Sequence, residues 1–180
     1  MGFFDKFRRT DNANGKFRKP YYSVQSVHAE GKVLDVCQEG ENPGSLIIWD
    51  GYGGENQAFT IKQKGPHFYF KSKKDKLYLT VEGPHDGAGV YAAPKSKSEN
   101  QRFTIDERGD NKFVIYTFYG KCLDVNEGSK DNGAKIIQWE ENGGDNQMWT
   151  FCDPSDITSS SSEQEECWAA LKKEQMISFV

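Results

Sequence analysis

The tightest constraint on how this chain folds is that one pattern is written along it three times. An Asn-Gln pair stands at Asn56-Gln57, Asn100-Gln101 and Asn146-Gln147, so successive copies lie 44 and 46 residues apart. A second anchor keeps the same step: Asp35, Thr80 and Asp124 each follow an apolar pair, Val33-Leu34, Tyr78-Leu79 and Cys122-Leu123. Two independent anchors in one register mark a repeated structural unit. Each copy closes on the same kind of strand, Phe59-Thr60-Ile61, Phe103-Thr104-Ile105 and Trp149-Thr150-Phe151. Short β-rich runs separated by Gly, Asn and Asp turns specify an all-β chain.

Three units are few for an open solenoid, and none reads as a polar cap. Closure around a threefold axis is the better solution, because it hides strand edges that otherwise template aggregation. The apolar positions shared by the copies are the expected core: Leu34, Leu79, Leu123, Ile61, Ile105 and the terminal rings Phe59, Phe103 and Trp149. At this point the chain resembles the ricin B-chain-like β-trefoil lectins, whose hallmark is a Gln-x-Trp near the end of each repeat. Here it stands as Gln147-Met148-Trp149, and in relaxed form as Gln57-Ala58-Phe59 and Gln101-Arg102-Phe103. The resemblance implies a β-trefoil of three pseudo-symmetric four-stranded repeats. The expected trefoil spans residues 21–152, with repeats of about 21–64, 65–108 and 109–152.

The 180 residues carry a formal net charge of −4, 28% charged residues and a mean hydropathy of −0.79. That is enough for one domain with a core and short extensions. No apolar run approaches the roughly 18 residues of a membrane span. The opening stretch MGFFDKFRRT lacks the apolar run of about 7–15 residues found in a secretory signal. A cytoplasmic location is expected, with unconventional secretion as the other route to glycans. Lys6 also stands where a myristoylated N-terminus has Ser or Thr.

Both ends differ from the middle. Residues 1–20 carry Lys6, Arg8, Arg9, Lys16, Arg18 and Lys19 against Asp5 and Asp11. They read as a basic, flexible segment, whose Phe3, Phe4 and Phe7 offer at most a weak hold on an anionic membrane surface. Residues 153–180 read as a Ser-rich acidic linker followed by a short helix-like extension. Ser162 with Glu165 is a capping-box signature for a helix over Cys167–Phe179. So short a helix needs a surface to dock on. Its own domain and a protein partner or second subunit gripped through residues 163–180 are equal alternatives.

Cys37, Cys122, Cys152 and Cys167 form no Cys-x-x-Cys and no Cys/His cluster at metal-ligand spacing, so no metal or cofactor is expected. Free thiols are the simpler state, with a Cys122–Cys152 bridge left open. His28, His67 and His85 are scattered and set no nucleophile, and Glu140-Glu141 reads as a solvated loop. An enzyme is therefore not expected. Nor is a nucleic-acid binder: the chain is net acidic, and the basic hairpin Lys71, Lys73, Lys74, Lys76 has no interleaved stacking rings at its tip.

A neutral sugar presents hydroxyl pairs and C–H patches. A carboxylate accepts two hydroxyls at once, an indole covers the C–H patch, and an Asn amide both donates and accepts. The resemblance implies that the Leu-Asp-Val aspartate takes the hydroxyl pair and the aromatic before the Gly-rich loop stacks. It further implies that the Asn bonds another hydroxyl while the Gln supports the aspartate. On this chain the first repeat offers Asp35, Trp49, Asn56 and Gln57, and the third offers Asp124, Trp139, Asn146 and Gln147. The second has Thr80 and Ala93 at the Asp and Trp positions and is expected to be silent, although Asn100 and Gln101 persist. Because the Asn-Gln pair survives where Asp and Trp are lost, it is at least partly structural. The usual family pattern has Gln two residues before the stacking ring, where this chain has Ile47 and Ile137, with Gln138 next to Trp139. The implied ligand is a glycan of galactose or N-acetylgalactosamine type. The alternative is an adaptor for a protein or cytoskeletal partner that works through its tails and keeps vestigial sugar sites.

Overall fold

The computed structural model describes residues 19–158. The expected helix over Cys167–Phe179, the Ser162–Glu165 capping box, Cys167 and the N-terminal rings lie outside the described residues. Twelve strands follow one another in three sets of four. The first set is β1 (Ser23–Ser26), β2 (Lys32–Val36), β3 (Leu46–Asp50) and β4 (Phe59–Lys64). The second is β5 (His67–Ser72), β6 (Tyr78–Val81), β7 (Val90–Ala93) and β8 (Phe103–Glu107). The third is β9 (Phe113–Thr117), β10 (Cys122–Val125), β11 (Ile136–Trp139) and β12 (Trp149–Cys152). A 3₁₀ turn precedes the last strand of each set, at Glu55–Gln57, Glu99–Gln101 and Asp145–Gln147.

The first and fourth strands of each set build a barrel. β1 pairs with β12, β12 with β9, β9 with β8, β8 with β5 and β5 with β4, all antiparallel. Tyr22 and Phe59 then close the ring by exchanging two backbone hydrogen bonds of 2.8 Å. The second and third strands form three hairpins, β2–β3, β6–β7 and β10–β11. Single bridges, Ser45 to Tyr91, Ile47 to Lys135 and Gly89 to Ile137, tie each hairpin to the next. This is the β-trefoil expected from the repeat.

Barrel strands alternate, as Phe59-Thr60-Ile61 does, because one face meets the core and the other meets water. The hairpin strands β6 and β10 are buried on both faces. One face covers the barrel, and the other carries Thr80 or Asp124 into a polar network. Phe59, Phe103 and Trp149 have no exposed surface, and neither do Leu34, Leu79, Leu123 and Ile105; Ile61 is also buried. Phe103 meets Phe70 edge-on at 5.4 Å. The Trp149 indole N–H, which cannot be buried unpaired, donates to the Leu123 carbonyl at 3.3 Å.

The stretch expected to be a linker departs from that expectation: Pro154–Thr158 forms a short helix, α1. Its Ile157 is buried against Gly51, where an added Cβ would lie 2.6 Å from Ile157 Cγ2. The bare backbone at Gly51 is what admits it. Asp153, just before α1, pairs with Lys19 at 2.9 Å. Cys37, Cys122 and Cys152 are free thiols, so the Cys122–Cys152 bridge is not formed.

Phe103→Ala removes a ring from the centre of the barrel. It should cost about 3–5 kcal/mol of unfolding free energy in urea titrations, with the m-value unchanged if the barrel stays closed.

Candidate functional site

Each repeat places its Gln at the end of a 3₁₀ turn, where the side chain points inward and makes the same three bonds. Gln57 Nε2 donates to Asp35 Oδ2 and to the Asp50 carbonyl, both at 2.9 Å, and its Oε1 accepts from Tyr52 N–H at 2.9 Å. Gln147 Nε2 donates to Asp124 Oδ2 at 2.7 Å and the Glu140 carbonyl at 2.8 Å, and Oε1 accepts from Asn142 N–H at 2.8 Å. Gln101 repeats this with Thr80 Oγ1, the Pro94 carbonyl and Ser96 N–H. All three are 0–1% exposed. Gln57 and Gln147 therefore stand behind the aspartates, braced against the loop.

The strand register puts acid and ring on one face of each hairpin. Asp35 lies opposite Ile47, two residues from Trp49, and Asp124 lies opposite Ile137, two residues from Trp139. Such diagonal neighbours are about 7–8 Å apart at the backbone, within reach of an aromatic side chain. Tyr78 pairs with Ala93, which confirms that Ala93 occupies the position of Trp49 and Trp139.

The third-repeat group surrounds an open cleft of about 410 Å³ lined by Asp124, Trp139, Asn146, Asn142, Asn126 and Glu127. Trp139 is 44% exposed, so one side of its indole meets solvent at the cleft. Asn146 Nδ2 donates to Asp124 Oδ2 at 3.0 Å, on the same oxygen that Gln147 holds. Asp124 Oδ1 accepts no bond from the described residues. The first repeat is arranged differently. Asn56 holds Asp35 Oδ1 at 2.9 Å and Gln57 holds Oδ2, so both carboxylate oxygens are engaged. The Tyr52 hydroxyl donates to Asn56 Oδ1 at 2.7 Å. Trp49 is half-buried. In the second repeat Asn100 Oδ1 is buried without a partner among the described residues.

Sequence reasoning passed over several of these groups. Tyr52, in the Gly-rich loop after Trp49, is the hydroxyl that closes over Asn56. The Trp139 ring reaches Gly87 of the second repeat and the Trp49 ring reaches Gly133 of the third, where added Cβ atoms would lie 3.7 and 3.8 Å away. The loop beside each ring is pinned. Lys32 Nζ bonds Asp50 at 2.7 Å and Asn132 at 3.0 Å, and Lys121 Nζ bonds Asp86 at 2.6 Å and Glu140. Glu140 and Glu141 are thus not a merely solvated loop, since Glu141 also pairs with Arg108 at 2.6 Å. Gln138 is fully buried, donating to the Gly83 and His85 carbonyls and accepting from Thr117 Oγ1, so it belongs to the packing between repeats.

The family model for the ricin-type β-trefoil lectin domain matches residues 20–149 and again 66–177. The chain belongs to this family. Among solved structures it is similar to the designed threefold-symmetric protein ThreeFoil, at 31% identity and a TM-score of 0.69 over 75% of this chain and 99% of that one. It is also similar to the Macrolepiota procera ricin B-like lectin solved with lactose, at 29% identity and a TM-score of 0.64 over 73% and 93%. A third likeness is to the exo-β-1,3-galactanase of Clostridium thermocellum, at 26% identity and a TM-score of 0.68, covering 76% of this chain but 30% of that enzyme. Among curated proteins none matches.

Within this lectin fold the aspartates titrate unusually. Burial pushes Asp35 up to about 6, against the opposing pull of the Gln57 and Asn56 bonds. Burial also raises Asp124, opposed by Gln147, Asn146 and the charge of His28. The folded state therefore keeps a proton on Asp35 over a range, from about pH 4 to 6, in which the unfolded chain has released it. Stability from this group is full below about pH 4 and falls as pH rises towards 6. Asp35→Thr installs the residue the second repeat already uses. The wild-type minus variant unfolding free energy should then decline by on the order of 2 kcal/mol between pH 4 and pH 7 in urea titrations.

Proposed function

We propose that the protein is a non-catalytic lectin that takes a galactose or N-acetylgalactosamine-type sugar in the third-repeat cleft, with a second site in the first repeat. The observation that carries this is the cleft bounded by Asp124, Trp139 and Asn146, with an open carboxylate oxygen and an exposed indole on its walls. Asp124 Oδ1 is free to accept two hydroxyl protons, while the carboxylate is held by Gln147 and Asn146. Trp139 covers the C–H face of the ring, removing apolar area from water at little rotamer cost. In the first repeat a ligand competes with Asn56 for Asp35 and shares the rim with Tyr52, so that site is the weaker.

The lactose complex of a 29%-identical lectin supports a galactose-type ligand. The galactanase does not lend its activity, because the match spans 30% of its length. The chemistry of the site agrees: Asp35 and Asp124 sit in different repeats, and each is held by the Asn and Gln of its own repeat, not by a proton-transfer partner. Burial pushes the Cys122 thiol up to about 12 and Cys152 to about 11, leaving both protonated and inert at neutral pH.

Two sites on one rigid body give weak binding singly and firmer attachment to multivalent glycans. On a lactose matrix Asp124→Ala should abolish most retention, and Asp35→Ala should reduce it by a smaller factor. Trp139→Ala should resemble Asp124→Ala while near-native circular dichroism is kept. Retention of Asp124→Ala/Asp35→Ala equal to wild type would remove the assignment. Binding should also fade on acidification at a pH above the ordinary carboxylate range, because the raised pKa of Asp124 returns its proton early.

A further inference from the structure

The internal threefold symmetry supplies its own control. Equivalent positions in the three repeats meet similar folding demands, so charges that one repeat carries and the other two lack at the same places answer to something else. The shared Gln bonds fix the equivalence. Counting from Tyr52, Ser96 and Asn142, each of which donates its N–H to its repeat's Gln, the loop after β7 carries Lys95 and Lys97. The first repeat has Gly51 and Gly53 at those places, and the third has Glu141 and Gly143. Arg102 stands where the others have Ala58 and Met148.

These three cations join Lys62 and Lys64 of β4 around a cleft of about 740 Å³, with Tyr69 on its wall. No carboxylate lines it. Lys62, Lys64, Lys95 and Lys97 are exposed and form no ion pair among the described residues, while Arg102 pairs with Glu99 at 3.2 Å. In a chain of net charge −4 this is a local reversal of sign. Like charges gathered at one opening repel one another and focus a positive potential there. The same repeat lacks the aspartate and the indole of its neighbours.

We propose that this cleft is a second kind of binding site, for an acidic saccharide carrying sulfate or carboxylate groups. Ammonium groups meet such anions as point charges without demanding a fixed geometry. The Ser96 and Ser98 hydroxyls on the rim donate to the same oxygens, and the half-buried Tyr69 ring offers a face to sugar C–H groups. The volume falls in the usual range for a small-ligand pocket, about 300–1,000 Å³, and admits a few sugar units. Nucleic acid is served less well. Base stacking needs rings standing free, whereas Tyr78 is only 8% exposed, and the net negative charge elsewhere opposes a long polyanion.

The test titrates three probes into the full chain by calorimetry: a heparin-derived hexasaccharide, its desulfated counterpart, and a single-stranded oligonucleotide of matched charge. The sulfated probe should bind, and its affinity should fall between about 50 and 200 mM salt as charge–charge attraction is screened. Lys95→Glu/Lys97→Glu should weaken it about tenfold or more, and Lys62→Gln/Lys64→Gln, on a different strand, should act in the same direction. Lys130→Glu/Lys135→Glu changes net charge by the same amount from the third repeat and should alter it by less than about twofold. Asp124→Ala should leave it intact, which separates this site from the neutral-sugar cleft. The proposal is overturned by no binding, by equal binding of the desulfated probe, by equal losses in the two Lys→Glu doubles, or by tighter binding of the oligonucleotide.

Discussion

The rest of the structure depends on a side-chain amide buried once per repeat. Gln57, Gln101 and Gln147 each give two hydrogens and accept one, joining the end of a hairpin strand to the backbone of the loop that follows the hairpin. With essentially no exposure, these amides have no water to turn to, and each partner lost would leave a buried polar group at about 1–3 kcal/mol. The same interaction does two jobs. It fixes the loop before the last strand, so the aromatic two residues on enters the barrel. It also fixes whatever residue sits at the Asp position, so a carboxylate placed there is held in one orientation. Fold and site share one set of atoms, and this is why the Gln persists in the second repeat, where no carboxylate needs holding.

The fold was legible because the constraint that builds it is written in triplicate. The Asn-Gln spacing and the terminal aromatics alone lead to Phe59, Phe103 and Trp149 at the centre and to closure around an axis. The site was legible in part. Asp124 and Trp139 are brought to one rim because the β10–β11 register puts them on the same face, and a two-residue alternation carries that information in the sequence. What the repeat could not carry was contact between repeats. His28 donates to the Gly128 carbonyl at 2.5 Å beside the third cleft, and nothing in a pattern with a period near 45 residues points to that pairing. The basic cleft was hidden for the same reason: Lys62, Lys64, Lys95, Lys97 and Arg102 are spread over 41 residues and converge only when β4 and the loop after β7 meet. The helix α1 was missed because its docking depends on the absence of a side chain at Gly51, which reads in the sequence as an ordinary turn residue.

Departures from the threefold pattern fall into two kinds. Some are tolerated because the shared network absorbs them. Thr80 takes the Gln101 hydrogen bond in place of a carboxylate, and its own hydroxyl proton goes to the Tyr78 carbonyl at 2.9 Å, so the position stays satisfied. Others come in sets. Where Asp and Trp occur, so does a lysine three residues before the Asp, Lys32 and Lys121, and an acid directly after the Trp, Asp50 and Glu140. In the second repeat those places hold Leu77 and Pro94.

That set has a physical reading. Each lysine reaches its own repeat's acid and a side chain on the loop of the preceding repeat around the axis: Asn132 for Lys32, and Asp86 for Lys121. Asn132 and Asp86 lie one residue before Gly133 and Gly87, the glycines against which the two Trp rings rest. The ion pairs are partly exposed and add little to global stability, so stability is a poor account of why they accompany the aromatic. Their effect is positional: they tie down the neighbouring loop whose glycine lies beside the indole, which limits how far the ring can swing. A ring braced in this way has less freedom left to lose, because part of its order is already in place. Ala93 has no ring to brace, and the second repeat has Leu77 and Pro94 in place of the clamp.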